Sequence, residues 1–322
     1  MSQLTTQRGS VLVVFLLALP VLWGIAQGGF KLAKSTQQAL SDQRASDRSA
    51  YSMAAVAADT LNQIAINNQT IIAAHLLQGH LVSQMAWTDY AVQLTHKGSW
   101  ALAWLAPGTA TWIHQKASQA QAFQRQQMPF WTQTLSVAGQ IAQSHNQSLL
   151  MALPGQLIKT NQKAGGAKTL AKINWLQARQ FRSVPFQGQV RQAALSHRDW
   201  LNARNWSQSF FGLAKLRKRG NTQEVNGQWV AQDQLSFKVR RLFRSKTVTL
   251  AQGHSNSRTY GYAGSANLTA FHLDELWFES QAGAHQASAR TFSRARTQID
   301  QVLLMPDWDA ELAVQGLSRG WW

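Results

Sequence analysis

RGSVLVVFLLALPVLWGIAQGGF, residues 8–30, decides how the rest of the chain is read. From Val11 to Ala26 it carries no charge, and extension to Phe30 adds only Gln27 among polar side chains. About 20 apolar residues at 1.5 Å per residue span a bilayer core. The run meets that length only with its glycine-rich end included. Trp23 and Phe30 fall where aromatic rings favour a membrane interface. Pro20 would cost roughly 3 kcal/mol inside a soluble helix, whereas membrane helices absorb a proline by local adjustment. A cleaved signal needs a basic start, a short apolar core and a small-x-small site. Arg8 supplies the start, but the run ends in Gly-Ile-Ala-Gln-Gly-Gly with no Ala-x-Ala. The expectation is a retained anchor built on Val11, Leu12, Phe15, Leu16, Leu19, Pro20, Leu22 and Trp23. Its direction is not set by charge. Lys31, Lys34, Arg44 and Arg48 follow the run, offset by Asp42 and Asp47, so the positive-inside rule gives no support to an inside N-terminus.

Working outward, the order Arg8-Gly9, an apolar run containing Pro20, then TQQALSDQRASDRSAYSMAA (residues 36–55) resembles the N-terminus of TadE/TadG-like proteins of the tight-adherence (Flp) pilus-assembly system. Gln37, Gln38, Ala45, Asp47, Ala50 and Ala54 fit the polar helix of that family. Arg48, Ser49 and Tyr51 depart from it. A weaker likeness lies in residues 287–313, at Pro306, Trp308 and Leu312. The resemblance implies a non-enzymatic, single-pass inner-membrane protein with most of the chain in the periplasm. Its implied partners are other pilus-assembly membrane proteins or pilins and the lipid bilayer, and it would be minor pseudopilin-like in role. Some larger relatives carry a metal-binding Asp-x-Ser-x-Ser domain. The nearest string here, Asp47 to Tyr51, lacks the second serine, so no such domain and no metal are expected.

Composition bounds the remainder. The 322 residues are 45% hydrophobic with 14 tryptophans, enough for a real core. Charged residues are only 14%, below the roughly 25% usual in soluble domains, and Gln, Asn, Ser and Thr supply the polar surface. There is no cysteine, which excludes disulfides, zinc knuckles and thiol nucleophiles. The net charge of +17 points to nucleic acid, an anionic envelope or membrane surface, or an acidic protein.

Ala54, Ala57, Leu61, Ile64, Ala65, Ile71, Ile72 and Leu76 recur at three- and four-residue steps and predict an amphipathic helix, with Gly79 and Gly98 as break points. Trp87, Trp100, Trp104 and Trp112 read as core or helix contacts. Beyond residue 206, Arg219-Gly220-Asn221 and Asn226-Gly227 are turn signals, the second a strong hairpin cue. The expected fold class is α+β. It has a tail over 1–10, a transmembrane helix over 11–30, and a long amphipathic helix and helical middle over 31–205. A β-rich region over 206–322 follows, with a small antiparallel sheet between about 208 and 280 and a short helix at the end.

No His-Glu-x-x-His, P-loop, Rossmann or Gly-x-Ser-x-Gly string occurs. His75 and His80 lie five apart, on different helix faces, and read as satisfied rather than metal-ligating. Asp274, Glu275 and Glu279, and Asp307, Asp309 and Glu311, read as counterions rather than acid–base pairs. No enzymatic activity and no cofactor are expected. The best site candidate is basic: Lys215, Arg217, Lys218 and Arg219, then Lys238, Arg240, Arg241, Arg244 and Lys246. Paired strands would turn these into one positive face. The second functional reading is therefore a membrane-tethered binder of nucleic acid or another polyanion.

Overall fold

The computed structural model describes residues 5–105, 109–165, 169–173, 181–185, 204–210, 214–240, 245–271, 275–294 and 302–313. Helix α1 runs unbroken from Thr5 to Leu105 and α2 from Thr109 to Gly165. At 1.5 Å per residue α1 is about 150 Å long. Neither Gly79 nor Gly98 breaks it, and α2 runs through Pro129 and Pro154.

The two helices form an antiparallel hairpin zipped by polar pairs. Gln78 donates to Thr132 at 3.1 Å, Asn67 to Asn146 at 2.8 Å and Arg125 to Asp89 at 2.9 Å. Ser49 meets Asn161 nearer the far end. These pairs hold register where the alanine-rich seam offers little shape.

Strands occupy the rest: β1 (Thr169–Ile173), β2 (Phe181–Val184), β3 (Trp206–Phe210), β4 (Ala214–Val225), β5 (Gln228–Arg240), β6 (Ser245–Asn256), β7 (Leu268–Phe271), β8 (Glu275–Ala282), β9 (His285–Ser293) and β10 (Trp308–Leu312). They make three antiparallel sheets, ordered β1-β8-β9-β10, β2-β7 and β3-β4-β5-β6. Asn226 (φ 51°) and Gly227 (φ 78°) take the left-handed conformation that a tight hairpin requires, and join β4 to β5. Arg219-Gly220-Asn221 makes no turn; β4 passes straight through it. Strands begin at Thr169, inside the span expected to be helical, and Trp308–Leu312 pairs with β9 instead of forming a helix.

The sheets pack along α1. Its predicted apolar stripe is the core: Ala54, Ala57, Leu61, Ile64, Ala65 and Ile71 are buried. One cluster joins Met53 and Leu61 to Leu153, Leu157, Phe271, Phe278 and Trp308. A second joins Ile71, Val82 and Met85 to Met128, Trp229 and Leu268. Asparagines on α1 clamp the strand backbones. Asn62 donates to the Trp308 carbonyl at 3.0 Å and accepts from the Trp308 amide at 2.9 Å. Asn68 does the same for Thr269, at 2.8 and 3.0 Å. Each clamp satisfies backbone groups that burial would otherwise orphan.

Before Ser46 the helix leaves this body. The part of it described as exposed, from Phe15 to about Gln38, is on the order of 36 Å long. Among the described residues no helix is long and apolar enough to cross a membrane. This corrects the expected transmembrane helix over 11–30, and with it the single-pass inner-membrane placement with a periplasmic body. The described side chains of the apolar run reach from Phe15 to Phe30, about 24 Å of helix against a hydrocarbon core of roughly 30 Å. Gln27 and Gly24, Gly28 and Gly29 dilute its end, and the helix continues beyond Phe30 into polar sequence. The side chains of Val11 and Leu12 lie outside the described residues.

Candidate functional site

Strand alternation sorts the basic candidates. In β4 the odd-numbered residues Lys215, Arg217 and Arg219 are exposed, while Gly220, Thr222 and Glu224 are buried against the helices. Side chains opposite one another in an antiparallel pair share a face. Lys238 stands opposite Lys215 and joins that outer face, as do Ser236 opposite Arg217 and Gln234 opposite Arg219. Lys246 pairs with Val239 and belongs to the other face, which corrects its grouping with the rest. Arg240 pairs with Ser245 by its backbone, but its side chain lies outside the described residues, as do Arg241 and Arg244 entirely.

Lys218 points inward, away from the other bases of β4, and holds its ammonium 5.0 Å from the centre of the Tyr90 ring, which corrects its grouping with them. Every acid of this four-stranded sheet faces the same way. Glu224 and Asp233 are both buried on the helix side, and Asp233 pairs with Arg204 at 2.9 Å. Burial pushes the Asp233 carboxyl above its ordinary value, and the attraction of Arg204 and Lys218 only partly opposes this. The outer face therefore has no carboxylate of its own.

On β9 and just beyond it the bases find partners. Arg290 lies between Glu275 (3.5 Å) and Glu311 (2.9 Å), over the rings of Trp277 and Phe292. Arg294 meets Asp309, and Ser293 donates to Asp307 at 3.0 Å. The two acidic clusters thus serve β9 as counterions and form no facing carboxylate pair. Asp274 lies outside the described residues.

His75 is a satisfied core histidine. Its Nε2 lies 3.1 Å from Glu224 and its Nδ1 2.5 Å from the Tyr262 hydroxyl, with the His75 and Glu224 side chains 0% and 1% exposed. The Trp229 indole donates to the His75 carbonyl at 2.8 Å. Burial first, and Glu224 second, push the Tyr262 hydroxyl well above its ordinary value. The triad resembles a proton relay in outline, but its histidine and carboxylate are closed to solvent. Its effect is to bolt the β4–β5 hairpin onto α1. No group of three or more potential metal ligands occurs among the described residues.

Two apolar surfaces remain. On the projecting part of α1, Phe15, Leu16, Leu19, Val21, Leu22, Trp23, Ile25 and Phe30 are each 49–73% exposed. At 100° per residue they cover an arc of about 220°, and Gln27, Pro20, Gly24 and Gly28 fall in the remainder. An apolar face that wide on an exposed helix is one that becomes buried. The second surface was missed by sequence reading. Phe123, Phe130, Val137, Met151 and Ile158 recur at seven-residue intervals along α2, interrupted at Ser144, and all five are exposed. The signal was a heptad hidden between Gln-rich turns. Trp87 and Trp112, expected in the core, are 49% and 60% exposed, and the Trp100 and Trp104 side chains lie outside the described residues.

No family model, no curated protein and no solved structure matches this chain.

Proposed function

We propose that this chain is a non-enzymatic assembly component of a Flp/Tad-type pilus or secretion apparatus, TadE/TadG-like and minor pseudopilin-like in role. The apolar end of α1 packs among the helices of neighbouring subunits, and the α1–α2–β body presents its surfaces to the assembly. The observation that carries this reading is the wide exposed apolar face from Phe15 to Phe30 on a helix that continues without a break into the core. A load applied at that end reaches the body through one continuous hydrogen-bonded helix, with no loop in between. The likeness of residues 8–55 to the TadE/TadG-like N-terminus supports the same role. The heptad stripe of α2 adds a second surface of the kind that receives a helix.

The chain has no cysteine, so a single Ile25→Cys substitution reports contacts at this end without background. In cells that produce the apparatus, Ile25→Cys is expected to cross-link to helical partner subunits. Cysteine at exposed Gln223, on the outer face of β4, serves as the control. An Ile25→Cys chain that cross-links no better than Gln223→Cys overturns the reading.

A further inference from the structure

We infer that the outer face of the β3-β4-β5-β6 sheet is a docking surface for the sugar–phosphate backbone of duplex nucleic acid, bound without regard to base sequence. It is separate from the apolar end of α1, so either proposal can fail alone.

Charge segregation is the first observation. Lys215, Arg217, Arg219 and Lys238 share this face, and none has an ion-pair partner among the described residues. The sheet's two acids are turned away and buried, whereas Arg125, Arg204, Arg290 and Arg294 are each paired. Lys215 stands directly opposite Lys238, an arrangement that destabilises the sheet on its own and is relieved when an anion lies across both.

Spacing is the second. Alternate residues of a strand repeat at about 6.8 Å. The three bases of β4 therefore form one straight, closely spaced row of positive charge along which a phosphate backbone can lie.

The third is what surrounds the bases. Ser207, Ser209, Ser236, Thr247 and Thr249 share the face by register. Hydroxyls and amides beside Lys and Arg are the side chains that contact phosphate and sugar. No aromatic ring stands among these residues to stack bases, which disfavours single strands. The large apolar side chain exposed on this face of β4 is Val225, at the hairpin end six residues beyond Arg219 and away from the bases, a poor match to a wedge that enters a lipid layer.

The test is fluorescence anisotropy of a labelled mixed-sequence duplex of about 20 base pairs with the full chain, across a salt series. Lys215→Ala/Arg217→Ala/Arg219→Ala/Lys238→Ala is compared with Lys31→Ala/Lys34→Ala/Lys159→Ala/Lys163→Ala, which removes the same charge elsewhere. Loss of four phosphate contacts should lower the slope of log K against log salt by about 3 to 4 and weaken binding at least ~10-fold, with the control within about threefold of wild type. Lys238→Glu adds an independent check: by pairing with Lys215 it should raise the melting temperature while still weakening duplex binding. Three results overturn the inference. They are no duplex binding at low salt, equal loss in the two quadruple variants, or capture of phosphatidylserine-containing vesicles with the duplex left free.

Discussion

Gly79 and Trp229 show how single residues fix the contact between helix and sheet. The Trp229 ring is fully buried and tethered through its indole N–H, and a Cβ built on Gly79 would lie 2.7 Å from two of its atoms. A glycine inside a helix ordinarily costs about 1 kcal/mol relative to alanine. Here it makes room for the largest side chain of the core. Gly79→Ala should therefore destabilise the protein by about 1–2 kcal/mol, because overpacking a rigid ring outweighs the propensity gained. Thermal unfolding checks this, and a rise in melting temperature would be inconsistent with the contact. Gly79 read in sequence as a break signal because periodicity cannot distinguish a glycine that ends a helix from one that admits a neighbour. The reverse held at Asn226-Gly227, where the left-handed backbone is a local property and the dipeptide alone predicted the turn.

At the scale of elements, Arg204 and Asp233 tie the four-stranded sheet to α1. Arg204 donates to the Ser83 carbonyl at 3.1 Å and to Thr222 at 2.7 Å while facing Asp233. Desolvation lowers the Arg204 pKa and raises that of Asp233, so burial opposes both charges more than pairing favours them. The sign follows from linkage. A carboxyl raised in the folded state contributes stability that is full below its ordinary value of 3.8 and is lost as pH rises through the folded value. The stability of wild type relative to Asp233→Asn should thus shrink as pH rises above about 4 in urea unfolding. A difference that widens with pH would mean that pairing dominates. None of this was legible in sequence. Arg204 and Asp233 lie 29 positions apart with no motif between them, and it takes the pairing of β3 with β4 and of β4 with β5 to bring them together across Gly220. The core stripe of α1 was legible because 3.6-residue periodicity is written in consecutive residues. The strands after residue 283 were not, since Trp308–Leu312 is a strand only by virtue of β9 beside it and Asn62 beneath it.

For the whole molecule, the body and the projection obey different rules. The body ties down polar groups along its seams: asparagine clamps hold the strand backbones, carboxylates meet Arg290 of β9, and a sealed histidine latches the hairpin, while α2 leaves the stripe from Phe123 to Ile158 open. The projection leaves its apolar groups open. The positive outer sheet face was half legible: its bases stand out in sequence, but residues 237–246 close β5 and open β6 rather than forming one strand. Strand register decides the rest, and it separates Lys246 from Lys238. Sedimentation velocity tests the central claim most directly, comparing wild type with Leu22→Lys/Trp23→Ser/Ile25→Lys at matched concentration. The three substitutions lie on the exposed part of α1, so both proteins should share one circular dichroism spectrum and one melting temperature. Burial of the apolar end between subunits predicts concentration-dependent oligomers for wild type and a monomer for the variant. A wild-type chain that sediments as a monomer at every concentration, indistinguishable from the variant, would contradict it.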